Sequence, residues 1–252
     1  MYTNGHKPVA VCDVTGRLLK VIDRKFESTD EVVVEISSDG NIVASSYENG
    51  IELFNVTSGK KLGDYETSNG YAKSLAFSLD GLYVAAGFQD LVEIFDIRTG
   101  SRICLLEDRW NADILRYRKI LAFSPNSARI AVAENEDIST WEMATGERRG
   151  SIRTNRIHEM SYSSDGTCLH TDQGRFQMDS ILDNSDSESK QVGEGFYYHE
   201  NWVFCGEQKI IYVPPECRLR YSPSYDGNFA LKDLLGGPFL VKYSGEGVGT
   251  LQ

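Results

Sequence analysis

The sequence predicts an all-β protein, a β-propeller of about six four-stranded antiparallel blades, with seven as the alternative count. Two recurring phrases and their spacing predict it. Apolar alternation runs into a Ser-x-Asp-Gly turn at Ser37-Ser38-Asp39-Gly40, Ser78-Leu79-Asp80-Gly81 and Ser163-Ser164-Asp165-Gly166, with looser copies at Ser124-Pro125-Asn126-Ser127 and Ser224-Tyr225-Asp226-Gly227. A second phrase closes on glycine at Asp13-Val14-Thr15-Gly16, Asn55-Val56-Thr57-Ser58-Gly59, Asp96-Ile97-Arg98-Thr99-Gly100 and Glu142-Met143-Ala144-Thr145-Gly146. From Asp39 to Asp80 is 41 residues, from Asp80 to Asn126 is 46, and from Asn126 to Asp165 is 39. A period of about forty residues holds four short strands, so each unit is one sheet and stacked neighbours share one core in a single domain over 1–252.

The elements follow in order. The chain opens inside a unit, a partial blade over 1–25 in which 9–13 reads as a third strand and 18–22 as a fourth. Repeats run over 31–67, 71–108 and 119–152, and a weaker one over 157–182. In the clearest copy the strands fall at 73–77, 82–87, 92–96 and 101–106. The Ser-Leu-Asp-Gly turn reverses the first into the second, because Gly81 accepts a positive φ and Asp80 bonds its own backbone two residues on. The second strand, Leu82-Tyr83-Val84-Ala85-Ala86-Gly87, is apolar on both sides and then small, like Ile42-Val43-Ala44-Ser45-Ser46 and Ile130-Ala131-Val132-Ala133. A strand packed between sheets on both faces loses its polar alternation, and small side chains let those sheets approach. Residues 183–190 read as a flexible acidic loop too poor in apolar side chains to pack. Strand-like runs resume at 202–205, 209–213, 229–232 and 239–243, within degenerate C-terminal blades over 191–244. A chain that starts in mid-blade closes its ring by pairing its ends or is an incomplete part of a larger propeller, since an open ring leaves unpaired sheet faces. The second reading is the favoured one.

Composition narrows the function. The 26 basic and 37 acidic residues leave a formal charge of −11, which repels a phosphate backbone and argues against nucleic acid as a partner. The five cysteines, Cys12, Cys104, Cys168, Cys205 and Cys217, are odd in number and contain no Cys-x-x-Cys pair, which points away from a disulfide framework or a zinc site. Neither a signal peptide nor an apolar run of about 20 residues is present, so the expectation is a soluble cytoplasmic protein with no membrane contact.

Phe54-Asn55, Phe95-Asp96 and Trp141-Glu142 stand where a Trp-Asp pair ends the third strand, and in this the chain resembles WD40-repeat proteins over nearly its whole length. It departs from them in having no Gly-His dipeptide before a first strand. Glu48, Gln89 and Asn135 replace the Asp of the turn before the third strand. The Asp-His-Ser-Trp network that the resemblance implies is therefore expected to be missing, leaving blades held by apolar packing. Trp202, with Val213-Pro214-Pro215-Glu216-Cys217-Arg218-Leu219, resembles the C-terminal end of WD40 regions in filamentous-fungal NLR-like signalling proteins, where a NACHT-type NTPase or ankyrin repeats precede the propeller. There the stretch reads Leu-Pro-Pro-Glu-Tyr-Arg-Pro. The resemblance implies a sensor or scaffold portion that binds a protein partner, with such an NTPase or ankyrin domain in a longer parent chain. Gly59-Lys60 is the nearest approach to a P-loop, but Lys61 stands where Ser or Thr must bind magnesium and Phe54 replaces the first glycine.

Loops on a rigid scaffold are where recognition sits. The turns between second and third strands place Tyr47, Glu48 and Asn49, then Phe88, Gln89 and Asp90, then Glu134, Asn135, Glu136 and Asp137 on one rim. The insertion that widens one spacing to 46 residues carries Arg109, Trp110, Arg116 and Tyr117, the composition of a binding hot spot. The bland reading packs Trp110 and Ile114 over a blade edge. Glu134, Glu136 and Asp137 would suit a basic partner or form a solvated rim. They lack the alternating ligands and central glycine of a calcium loop. His158 and His170 read as partly buried, satisfied rings. No cofactor, metal site or catalytic motif is expected, and the first reading is a non-catalytic interaction or ligand-sensing module. The alternatives are a propeller enzyme, a quinoprotein-like oxidoreductase or a hydrolase with charged residues converging on its channel, and an adaptor or assembly scaffold of another WD40 class.

Overall fold

The computed structural model describes residues 33–67, 69–107 and 118–183, and the strand backbones at 9–12, 18–22, 196–199, 202–205, 208–212, 228–232 and 238–242. The insertion loop with Arg109, Trp110, Arg116 and Tyr117 lies outside the described residues, as does the acidic run 184–190. The fold is all-β, with one short helix among the described residues. A hairpin of β1 (Val9–Cys12) and β2 (Leu18–Ile22) comes first. Three four-stranded sheets follow, each a meander in chain order. The first holds β3 (Val34–Ile36), β4 (Ile42–Tyr47), β5 (Gly50–Asn55) and β6 (Lys61–Glu66). The second holds β7 (Ser74–Phe77), β8 (Tyr83–Gly87), β9 (Leu91–Asp96) and β10 (Arg102–Glu107). The third holds β11 (Ile120–Phe123), β12 (Arg129–Glu134), β13 (Asp137–Glu142) and β14 (Arg148–Arg153).

The repeat over 157–182 departs from this plan. It has three strands, β15 (Met160–Tyr162), β16 (Cys168–Thr171) and β17 (Gly174–Gln177), and where an outer strand would follow the chain turns into helix α1 (Met178–Asp183). Beyond it, β18 (Phe196–His199), β19 (Trp202–Cys205) and β20 (Gln208–Tyr212) form a three-stranded sheet, and β21 (Asn228–Lys232) pairs with β22 (Pro238–Lys242). Chain contacts gather into two compact units, one over 1–132 and 141–148, the other over 133–140 and 149–252.

Within the first unit, apolar side chains from successive sheets interdigitate. Ala44, Ile51, Leu53 and Tyr65 of the first sheet meet Leu75, Val84, Ala86 and Phe95 of the second. From the other face of the second sheet, Ala85, Ile94, Cys104 and Leu106 meet Leu121, Ile130, Val132 and Trp141. Both faces of β8 are therefore buried, which is why Val84-Ala85-Ala86 shows no polar alternation. The first strands lie side by side, β3 against β7 and β7 against β11.

In four described repeats the Ser-x-Asp-Gly phrase or its looser copy closes the first hairpin by one set of bonds; the copy at 224–227 lies outside the described residues. The serine hydroxyl donates to the aspartate at 2.6 Å in Ser37–Asp39, Ser78–Asp80 and Ser163–Asp165, and in the looser copy Ser124 donates to Asn126 at 2.8 Å. The same hydroxyl accepts the N–H five residues on, from Ile42, Tyr83, Arg129 and Cys168. Asp39 and Asp165, bonded in this way by Ser37 and Ser163 and by the backbone, are held down to about 2. The glycine-ending phrase is fixed likewise: Asn55 and Asp96 accept the N–H of Ser58 and Thr99.

Candidate functional site

The turns between second and third strands put Glu48, Asp90 and Asp137 in solvent, while Glu134 and Glu136 are half-buried. Glu48 and Asp90 occupy equivalent turns of the first and second sheets. Glu134, Glu136 and Asp137 share the turn of the third, where Asn135 takes a φ of 54° and Arg153 lies 3.7 Å from Glu136. In the first and third sheets an outer-strand end is tied to this turn, Thr67 N–H donating to the Asn49 carbonyl and Thr154 N–H to that of Glu136. The aromatic residues expected among the rim positions are elsewhere. Tyr47 and Phe88 are 4% and 2% exposed. Both rings are buried, so what the described turns present to solvent is acidic and amide-bearing, not aromatic.

Residues that the sequence reading passed over form the most buried polar chemistry. Glu52 and Glu93 are 1% and 2% exposed, each two residues before the aromatic at the penultimate position of its strand. Each meets a cation nine residues on: Lys61 Nζ is 2.7 Å from Glu52 Oε1, and Arg102 Nη1 is 2.6 Å from Glu93 Oε1. A bulge sets up both contacts. Pairing of β5 with β6 shifts between Leu53 and Phe54, and pairing of β10 with β9 shifts between Arg102 and Cys104, bringing the first residue of the outer strand opposite the aromatic. The spacing Glu-x-aromatic with a basic residue nine after the glutamate was the available signal. In the first sheet the pair extends into a network, because Lys61 also bridges to Asp64 and Tyr47 donates its hydroxyl to Asp64 at 2.5 Å. Burial opposes the Lys61 charge, but the hydrogen bonds it donates to Asp64 and Glu52 outweigh it and hold the ammonium above its ordinary value. Burial and the Asp64 bond push the Tyr47 phenol up.

A second correction concerns the histidines. Of the Asp-His-Ser-Trp network expected to be missing, a histidine–aspartate contact is present in the second unit, where His158 Nδ1 lies 2.9 Å from Asp172 Oδ2 and Asp172 Oδ1 accepts the His158 N–H at 2.9 Å. His158 precedes β15 and Asp172 sits in the turn before β17, so the partners come from different strand ends of one sheet. The preceding residue is Ile157, not glycine, which hid the pattern. The His158 ring is exposed, not partly buried. His170 is partly buried, with Nε2 3.8 Å from Cys168 Sγ, and burial followed by Arg175 holds its pKa below the usual value.

Cys104 and Cys168 are free thiols. Among the described residues no group of three or more His, Cys, Asp or Glu side chains is placed to hold a metal, and no helix is long and apolar enough to cross a membrane. No family model matches the chain, and no curated protein matches it.

Proposed function

We propose that the chain is a β-propeller of the WD40 kind whose rim of second-to-third-strand turns binds a protein partner, as the sensor or scaffold part of a signalling protein. The observation that carries the proposal is the repetition: three consecutive four-stranded meanders set their first strands side by side, with Phe95 and Trp141 near the ends of two of the third strands in the cores between sheets. Such stacking leaves turns as the variable surface on a rigid frame, and binding energy is then drawn from several repeats at once. On this reading Glu48, Asp90, Glu134, Glu136 and Asp137 give the rim its negative field. The insertion with Arg109, Trp110, Arg116 and Tyr117 supplies the aromatic and guanidinium anchors. The tail that resembles fungal WD40 regions suits a module acting within a longer chain with an NTPase or ankyrin domain, in the cytoplasm.

The test compares the full wild-type chain with Trp110→Ala and with the double variant Glu48→Lys/Asp90→Lys in quantitative affinity capture. The reading expects a reproducible partner that both variants lose while their melting temperatures stay at the wild-type value. Equal retention by all three proteins, or a fall of many degrees in the Trp110→Ala melting temperature, overturns the role given to that surface.

A further inference from the structure

Glu93 and Phe95, two residues apart and therefore on one face of β9, line an open cleft of about 570 Å³ between the first and second sheets. Glu66 and Thr67 at the end of β6 form the opposite wall, and Gly100 and Arg102 flank the start of β10. All six residues belong to the first unit. Phe95 is a fixed wall, since its ring stacks on Tyr65 at 5.5 Å and the Tyr65 hydroxyl donates to the Ile97 carbonyl at 2.6 Å.

The charges in this cleft do not balance. Arg102 satisfies Glu93 Oε1, whereas Oε2 is buried and has no hydrogen-bond partner. An ionised oxygen kept from water without a donor is costly, and the cost disappears when a donor reaches it. Glu52 Oε2 in the first sheet is likewise buried without a partner, but the residue opposite it is Asp64, whereas Glu93 faces Leu105 in the second sheet. The second carboxylate near Glu93 is instead Glu66, exposed on the neighbouring sheet. Two carboxylates against one guanidinium leave a net charge of −1, and Arg102, its side chain 52% exposed, is free to swing toward solvent as a second cation enters.

We propose that this cleft binds one guanidinium or primary ammonium group, held between Glu93 Oε2 and the Glu66 carboxylate with its aliphatic stem along Phe95. A divalent metal would need about six oxygen ligands, more than this set provides. An anion would have to break the Glu93–Arg102 pair. The cation comes either from an arginine or lysine side chain of a partner protein or from a free small amine. The inference rests on two adjacent sheets, so it holds whether or not the partner-binding reading of the rim is right.

The experiment titrates the full chain with n-butylguanidinium and n-butylammonium, with n-butanol as the neutral control, at constant ionic strength, and follows backbone amide shifts by NMR. Saturable shifts confined to residues 66–67, 93–95 and 100–102 with the cations, and none with butanol, are the expected result. Glu93→Gln weakens binding about tenfold or more, Glu66→Gln about threefold, and Arg102→Gln, which frees Oε1 of Glu93 as well, tightens it about tenfold, in keeping with charge-assisted hydrogen bonds. Glu66→Gln alters an exposed side chain and keeps the test available if the other variants fail to fold. Short alanine peptides carrying one arginine or lysine identify the source: tighter binding than the free cations assigns a partner side chain, and equal binding assigns a small amine. Absence of saturable shifts with every cation and peptide, or binding by Glu66→Gln equal to wild type, overturns the site.

Discussion

Ser127 Oγ donates a hydrogen bond to Asp80 Oδ2 at 2.7 Å, joining the first turn of the third sheet to the first turn of the second. Ser127 stands where the other repeats have glycine, and it holds a φ of 55°. A left-handed conformation at a non-glycine residue costs about 1 kcal/mol, and the bond across to Asp80 offsets it. The step before is linked in the opposite sense, Ser38 Oγ of the first sheet donating forward to the Leu79 carbonyl of the second at 3.1 Å. Neighbouring sheets in the first unit are therefore fastened at their turns as well as through their cores.

Ser127→Ala keeps the backbone strain and loses the bond, so it should lower stability by about 1 kcal/mol at neutral pH, whereas Ser127→Gly should be close to neutral because strain and bond vanish together. Burial alone would raise the Asp80 pKa, but hydrogen bonds from Ser78, the Leu82 N–H and Ser127 outweigh it and hold the carboxyl below its usual range. A depressed folded pKa stabilises above the unfolded value of about 3.9 and the contribution is lost as pH falls through the folded pKa. Urea melts of wild type and Ser127→Ala should thus differ at pH 7 and converge under acid conditions. A constant gap across that range would mean that the hydroxyl acts on something other than the ionised carboxylate.

The turn carboxylates Asp39 and Asp165 provide the direct titration. Both sit at about 2, owing first to the serine two residues before and then to backbone N–H donors. Replacing that serine by alanine, Ser37→Ala or Ser163→Ala, should move the matching carboxyl toward the ordinary aspartate value of 3.8 and leave the other unchanged. Carboxyl carbon shifts in an NMR pH titration read this out. Stability linked to these groups is present above the unfolded value and disappears as pH drops toward about 2.

Ion pairs of this protein should divide by burial. Arg102→Met leaves Glu93, 2% exposed, without its cation. Removing one partner of a fully buried pair costs about 3–5 kcal/mol, and the half-exposed Arg102 reduces that to about 2 kcal/mol. Arg153→Met removes a 3.7 Å pair whose side chains are 47% and 45% exposed, so its effect should stay within about 0.5 kcal/mol. Denaturant midpoints at matched slope distinguish the two, and equal losses would show that the Glu93 pair is screened like a surface one.

What the sequence made legible was whatever its residues do locally. Ser37-Ser38-Asp39-Gly40 is a hairpin because hydroxyl, carboxylate and glycine each bond or bend within five residues, and the described copies could be read that way. The apolar run Val84-Ala85-Ala86 announced burial on both faces. Contacts between strands were not legible: Ser127 reaches 47 residues back to Asp80, and Glu93 finds Arg102 only through a bulge. The rim aromatics Tyr47 and Phe88 read as displayed and are buried, since a turn's sequence does not say which way the last residue of its strand points. Helix α1 was missed because six residues are too few to show a helical period.

That helix supplies the sharpest steric prediction. A Cβ built on Gly150 in β14 would stand 2.0 Å from the carbonyl oxygen of Ile181, a backbone atom that moves only if α1 moves with it. Ile181 is itself fully buried, so displacing the helix exposes its side chain. Burying such a side chain is worth about 1.5–3 kcal/mol. Gly150→Ala should therefore destabilise the second unit by about 2 kcal/mol and speed amide exchange over 178–183. Gly87→Ala makes the contrast: its Cβ would meet Ser74 Oγ at 2.3 Å, the end of a side chain whose hydroxyl has no hydrogen-bond partner and turns away by a χ1 rotation. Its cost should stay below about 1 kcal/mol, within the range of tolerated core changes. If hydrogen exchange across α1 is the same in Gly150→Ala as in wild type, the helix does not rest on β14, and the missing side chain of residue 150 has another cause.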